Sequence, residues 1–168
     1  MEYKNMKSFF WRLTLKLKRK PYWLQISILF FFSYLIVVLV LPFLFLTELA
    51  DPGNTSGPDI KFWGSVIILA PLFETLFNQY LPYKLMQKWS FTKTKSGLYI
   101  FLSAFIFGLC HCYNIKYMIF AFSVGLILGY TYLFYSKTPS KAFWSTTLIH
   151  AIRNSMVILI AYIPDLLK

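Results

Sequence analysis

From Tyr22 to Leu46 the chain runs without a charged residue, and a stretch of that length narrows the folding options sharply. About 20 apolar residues in a helix cross a bilayer core, and a helix satisfies its backbone polar groups internally, as hydrocarbon demands. Four more apolar runs follow, at about residues 62–81, 98–112, 117–135 and 142–163. The third is short for a crossing, so Ser96 and Tyr113 are read as extending it. The expected fold is an all-α, polytopic membrane protein with about five transmembrane helices. Hydrophobic residues make up 58% of the 168 and charged residues 14%, where soluble domains carry about 25% charged. A secretory signal is a poor match, because its apolar region spans only about 7–15 residues and ends in a small-residue cleavage site. No internal repeat is visible, which leaves an inverted-repeat transporter without support.

The net charge of +11 would suit nucleic acid, but its placement suits a membrane surface. Lys4, Lys7, Arg12, Lys16, Lys18, Arg19 and Lys20 fall in residues 1–21. Lys84, Lys88, Lys93 and Lys95 follow the second run, and Lys137 and Lys141 follow the fourth. Those thirteen of seventeen basic residues mark the cytoplasmic side, putting the N-terminus inside and the C-terminus outside. The loop at 47–60, rich in Pro and Gly and lacking Lys or Arg, goes to the opposite side. Residues 1–21 interleave their cations with Phe9, Phe10, Trp11, Leu13, Leu15 and Leu17, a mixture suited to the cytoplasmic interface. Residues 22–168 are read as one helical membrane domain. The expected setting is a cell membrane crossed several times, a bacterial inner membrane by preference, with the bilayer as partner and no nucleic acid. A dedicated protein partner would leave no mark in this chain.

Cys110 and Cys112 flank His111 inside an apolar run. They do not form a disulfide framework, and residues two apart on a helix point to nearly opposite sides, which argues against a local zinc site. They are read as buried small hydrophobes. Gly125 and Gly129 form a small-xxx-small pair that signals close helix packing.

The polar groups inside the apolar runs are few: Glu74, Asn78, Gln79, His111, His150, Arg153 and Asn154. Glu74 is the acid within them, and a carboxylate in hydrocarbon is costly enough to mark a functional site. At 1.5 Å rise per residue, Glu74 and His150 lie roughly 14–15 Å from the cytoplasmic end, with His111 deeper. His150 and Asn154 share a helix face, as do Glu74 and Asn78, with Thr75 and Gln79 on the neighbouring one. Arg153 is available to pair with Glu74, to snorkel, or to help place a peptide carbonyl, and a structural role is favoured. An isolated membrane histidine can merely bond across helices, for under about 1 kcal/mol. One buried acid together with both histidines of the chain points instead to a shared site, in a cavity open to the cytoplasmic side.

Glutamate beside histidine can deprotonate water for attack on a carbonyl. A second histidine and an asparagine can donate hydrogen bonds to the oxyanion that forms. No serine triad and no His-Glu-x-x-His helix is present; the two histidines and the glutamate could also hold Zn²⁺.

In order and spacing these residues resemble the CPBP intramembrane endopeptidases, a family that includes the CAAX prenyl proteases and the bacteriocin-processing or Abi proteins. Its motifs are Glu-Glu-x-x-x-Arg, Phe-x-x-x-His and His-x-x-x-Asn on separate membrane helices. The chain has Glu74-Thr75-x-x-x-Gln79, Phe107-x-x-x-His111 and His150-x-x-x-Asn154, within a motif-bearing core at about 62–155. The resemblance implies that Glu74 and His111 activate water and that His150 and Asn154 stabilise the oxyanion, with no metal or other cofactor. Thr75, Asn78, Gln79, Phe107 and Arg153 would support them, and the substrate would be a peptide or prenylated peptide. The departure lies at Thr75 and Gln79, which replace the family's second glutamate and its arginine together. Neither ion is thereby left unpaired, and the two neutral side chains can still hydrogen-bond. The alternative is a catalytically degenerate member acting as membrane scaffold, peptide-binding subunit or immunity protein. An ion-coupled transporter is a third reading.

Overall fold

A computed structural model describes residues 12–45, 63–93 and 95–166, and every regular element among them is helical. The loop at 47–60 and the cations Lys4 and Lys7 lie outside the described residues. Helix α1 is Tyr22–Phe45. The second run is a composite of a π-helical turn Ser65–Leu69, α2 (Ala70–Glu74), a second π-helical turn Thr75–Tyr80, and α3 (Leu81–Lys88). After α4 (Ser90–Lys93) come α5 (Ser96–Leu109), α6 (Ile115–Tyr135) and α7 (Pro139–Leu166). By length and composition α6 is apolar enough to cross a membrane, while Tyr22–Ile36 and α5 are shorter apolar helices.

The interruptions in the second run have a local cause. Pro71 and Pro82 each fall in the first turn of the α-helical piece that follows a π turn. A proline ring offers no N–H and collides with the carbonyl four residues back. The wider π turn ahead of each accommodates it: Ala70 N–H bonds to Ser65 O and Leu81 N–H to Leu76 O, both five residues back. Such π turns within α-helices concentrate at functional sites.

Helix α6 is the centre of the packing, in contact with α1, α5 and α7. Its glycines admit α5 at backbone distance. A Cβ on Gly125 would stand 2.8 Å from the Ala104 Cα, and one on Gly129 would stand 3.1 Å from Ser103 Oγ. Tyr83, Tyr99 and Tyr132 join α3, α5 and α6 through ring contacts of 5.3–6.3 Å. The outer surface is apolar: Phe31, Phe73 and Ile160 are all more than half exposed. Apolar patches of this extent are rare on water-facing monomers.

Helix α5 stops at Leu109, three residues short of the run's expected end. Asn114 ends the turn that follows by capping α6, its Oδ1 accepting from Tyr117 N–H at 2.8 Å. Cys110 and Cys112 therefore lie on the α5–α6 turn and are exposed, where buried positions were expected.

Candidate active site

Glu74 is the last residue of α2, between the two π turns. Its Oε2 lies 3.5 Å from His150 Nε2 and 4.0 Å from His111 Nε2. One acid from the composite second run thus meets an imidazole from α7 and another from the α5–α6 turn. The Glu74 and His111 side chains are only 26% and 18% exposed, and that of His150 is 4% exposed.

Phe107 organises both histidines. Its carbonyl lies 2.7 Å from His111 Nδ1, which makes that nitrogen the donor and leaves Nε2 of the neutral ring as an acceptor toward Glu74. Its ring sits 4.6 Å from the His111 ring and 5.5 Å from the His150 ring. The Phe-x-x-x-His spacing is therefore a single contact unit, in which the carbonyl of the first residue orients the imidazole four residues on.

Asn154, one helical turn past His150, donates through Nδ2 to the Val66 carbonyl at 2.9 Å. In the π pattern of this segment the donor for Val66 would be residue 71, and Pro71 has no N–H to give. Asn154 fills that vacancy with one amide proton and retains a second. Asn78, 1% exposed, accepts from Cys110 Sγ at 3.6 Å, so it braces the turn that carries His111.

Thr75 and Gln79 are buried, yet neither side chain makes a hydrogen bond to another described residue. A threonine hydroxyl is one bond from Cβ, and side chains a turn apart start about 5–6 Å from each other, so the gap stays open. Gln79 contributes its backbone carbonyl instead, accepting from Tyr99 OH at 3.1 Å. Arg153 does not pair with Glu74; its guanidinium lies between the rings of Tyr34 (5.3 Å) and Phe120 (5.4 Å), where aromatic faces stabilise a cation. Exposed residues flank the site on two sides: Phe73 and Phe77 around Glu74, and Cys110, Cys112 and Tyr113 on the α5–α6 turn.

Three contributors had no obvious mark in the sequence. Val66 acts through its carbonyl, and the signal was a proline five residues later. Tyr117, whose ring is 5.7 Å from that of His111, reads as one more aromatic residue in α6. Tyr34, over Arg153, reads likewise in α1. Among the described residues no group of three His, Cys, Asp or Glu side chains is arranged to hold a metal ion.

The model of one protein family, described as type II CAAX prenyl endopeptidase Rce1-like, matches residues 56–156. That is more than half of the chain, and it contains Glu74, Phe107, His111, His150 and Asn154. No curated protein and no solved structure matches.

Proposed function

Since the chain belongs to the Rce1-like family of type II CAAX prenyl endopeptidases, we propose that it hydrolyses a peptide bond at the membrane with water activated between Glu74 and His111. The observation that carries this is the approach of Glu74 Oε2 to the Nε2 atoms of both histidines, at 3.5 and 4.0 Å. A gap of 4.0 Å is too long for a hydrogen bond and directs two acceptors at one water position. Glu74 takes a proton as the water oxygen attacks the scissile carbonyl carbon. The oxyanion receives hydrogen bonds from His150 Nε2–H and from the free amide proton of Asn154. When the tetrahedral intermediate collapses, the C–N bond breaks and Glu74 returns its proton to the departing amine. No metal enters this scheme. The substrate class is a peptide or prenylated peptide presented from the bilayer, and bacteriocin processing falls within the same chemistry.

The proposal places the protein in a cell membrane, a bacterial inner membrane by preference, with about five crossings and the N-terminus inside. Purified protein is expected to cleave a farnesylated peptide, and Glu74→Gln or His111→Ala to lower turnover by about 10²–10⁴-fold at unchanged helicity. Cleavage that survives both substitutions would overturn the mechanism. A second reading, a degenerate scaffold or immunity protein, draws on the Thr75 and Gln79 side chains, which have no partner among the described residues. It gains if wild type lacks cleavage and a partner complex tolerates both substitutions.

A further inference from the structure

Away from Glu74, residues 12–18 form a helix that folds back along α1. Gln25 Nε2 fastens its end by donating to the carbonyls of Lys18 (3.3 Å) and Lys20 (2.7 Å). Between this segment, α1 and α6 lies a cavity of about 230 Å³, lined among others by Leu13, Leu17, Leu29, Phe32 and Ile127. Its polar groups are the hydroxyls of Thr14 and Tyr130, which bond to each other at 2.9 Å. A buried water needs two to four polar partners, so the natural occupant of this space is hydrocarbon.

Cations crowd one turn further along α6. The Tyr130 and Phe134 rings are 6.1 Å apart, and Lys18 Nζ lies 5.1 Å from the Phe134 ring. Burial, and next to it the charge of Lys137, holds the Lys18 pKa below the ordinary lysine value. Lys141 Nζ sits over Tyr22 (4.7 Å) and Tyr135 (5.1 Å). Among the described residues no carboxylate pairs with any of the three, Glu74 being engaged with the histidines. A cavity suited to hydrocarbon and a positive cluster with no carboxylate partner among the described residues thus stand a helical turn apart.

We propose that this crevice binds one anionic phospholipid, an acyl chain filling the cavity and the phosphate lying on Lys18 and Lys137. A zwitterionic headgroup offsets its own phosphate with an attached cation, so the cluster selects for net negative charge. The site is independent of the catalytic reading.

The test uses the full chain in phosphatidylcholine nanodiscs, with spin-labelled phosphatidylglycerol or phosphatidylcholine added near one per protein. About tenfold preference for immobilised phosphatidylglycerol is expected, since each surface lysine contributes appreciably to anionic lipid binding. Lys18→Ala with Lys137→Ala should abolish the preference. Leu17→Trp, or Ile28→Phe from the opposite wall, should release the immobilised chain while circular dichroism stays unchanged. Equal immobilisation of both lipids would overturn the proposal. So would a preference that survives a filled cavity in a folded variant, which indicates diffuse surface attraction, or displacement of the label by millimolar inorganic phosphate, which indicates an anion site without a lipid.

Discussion

Asn154 Nδ2 donates to the Val66 carbonyl at 2.9 Å, across 88 positions of sequence. The bond answers a vacancy that Pro71 creates, and it fixes the amide whose second proton is assigned to the oxyanion. Asn154→Ala is expected to lower kcat by about 10²–10³-fold, the cost of one oxyanion donor. Asn154→Asp should do at least as much damage and also destabilise, because a carboxylate would face the Val66 carbonyl. Pro71→Ala would supply the missing N–H and free Asn154, lowering kcat with little change in Tm. Steady-state kinetics beside thermal unfolding in detergent separate these outcomes.

Thr75 and Gln79 occupy buried positions without side-chain partners among the described residues. Thr75→Glu or Gln79→Arg alone would bury an uncompensated charge, at a cost of about 3–5 kcal/mol. Together they restore the family's ion pair, and the double variant is expected to recover about 1–3 kcal/mol relative to the sum of the singles. Thermal unfolding of the four proteins gives the coupling. Additive losses would show that the surrounding helices no longer accommodate the pair.

Of the described glycines, Gly125 leaves the least room for a side chain in the α5–α6 contact. A Cβ there meets the Ala104 Cα at 2.8 Å, and backbone cannot swing aside as a side-chain tip can. Gly125→Ala is expected to cost about 1–3 kcal/mol, read as a lower Tm. The displaced α5 should also carry His111 away from Glu74, so turnover falls as well. Gly97→Ala, at a position with open space around it, serves as the neutral control.

The exposed thiols of Cys110 and Cys112 report on orientation. With the N-terminus inside and five crossings, the α5–α6 turn faces outward, and a membrane-impermeant maleimide should label intact cells at both positions. Labelling only in inverted vesicles would reverse the assigned topology. Because Cys110 bonds to Asn78 beside His111, its modification is expected to block cleavage, and Cys110→Ser to protect against that loss.

Particular residues show where sequence reasoning reached its limit. The helical character of every apolar run followed from hydropathy, because a backbone in hydrocarbon has few alternatives. Glu74, His111 and His150 stood out because polar groups there are scarce, and Phe-x-x-x-His and His-x-x-x-Asn are spacings of one helical turn. The cysteines were misplaced because an apolar run does not mark where a helix yields to a turn. Asn114 supplied that signal, through a cap that depends on backbone geometry. Thr75 and Gln79 could have bonded to each other and do not, because spacing along a helix gives the shared face but not the reach of a short side chain.

The sequence by itself determined an all-helical chain and a family, and it named the acid, the two imidazoles and the amide. Those properties reside in composition and in spacings within single helices. Only the tertiary structure decided that Glu74 meets both histidines at once, that Arg153 is held by Tyr34 and Phe120 and not by Glu74, and that Asn154 is oriented by a carbonyl Pro71 cannot serve. Each of these joins residues on different helices. Their distances are set by how closely glycines let α5 and α6 approach and by how two π turns redirect the second run, and neither quantity is written along the chain.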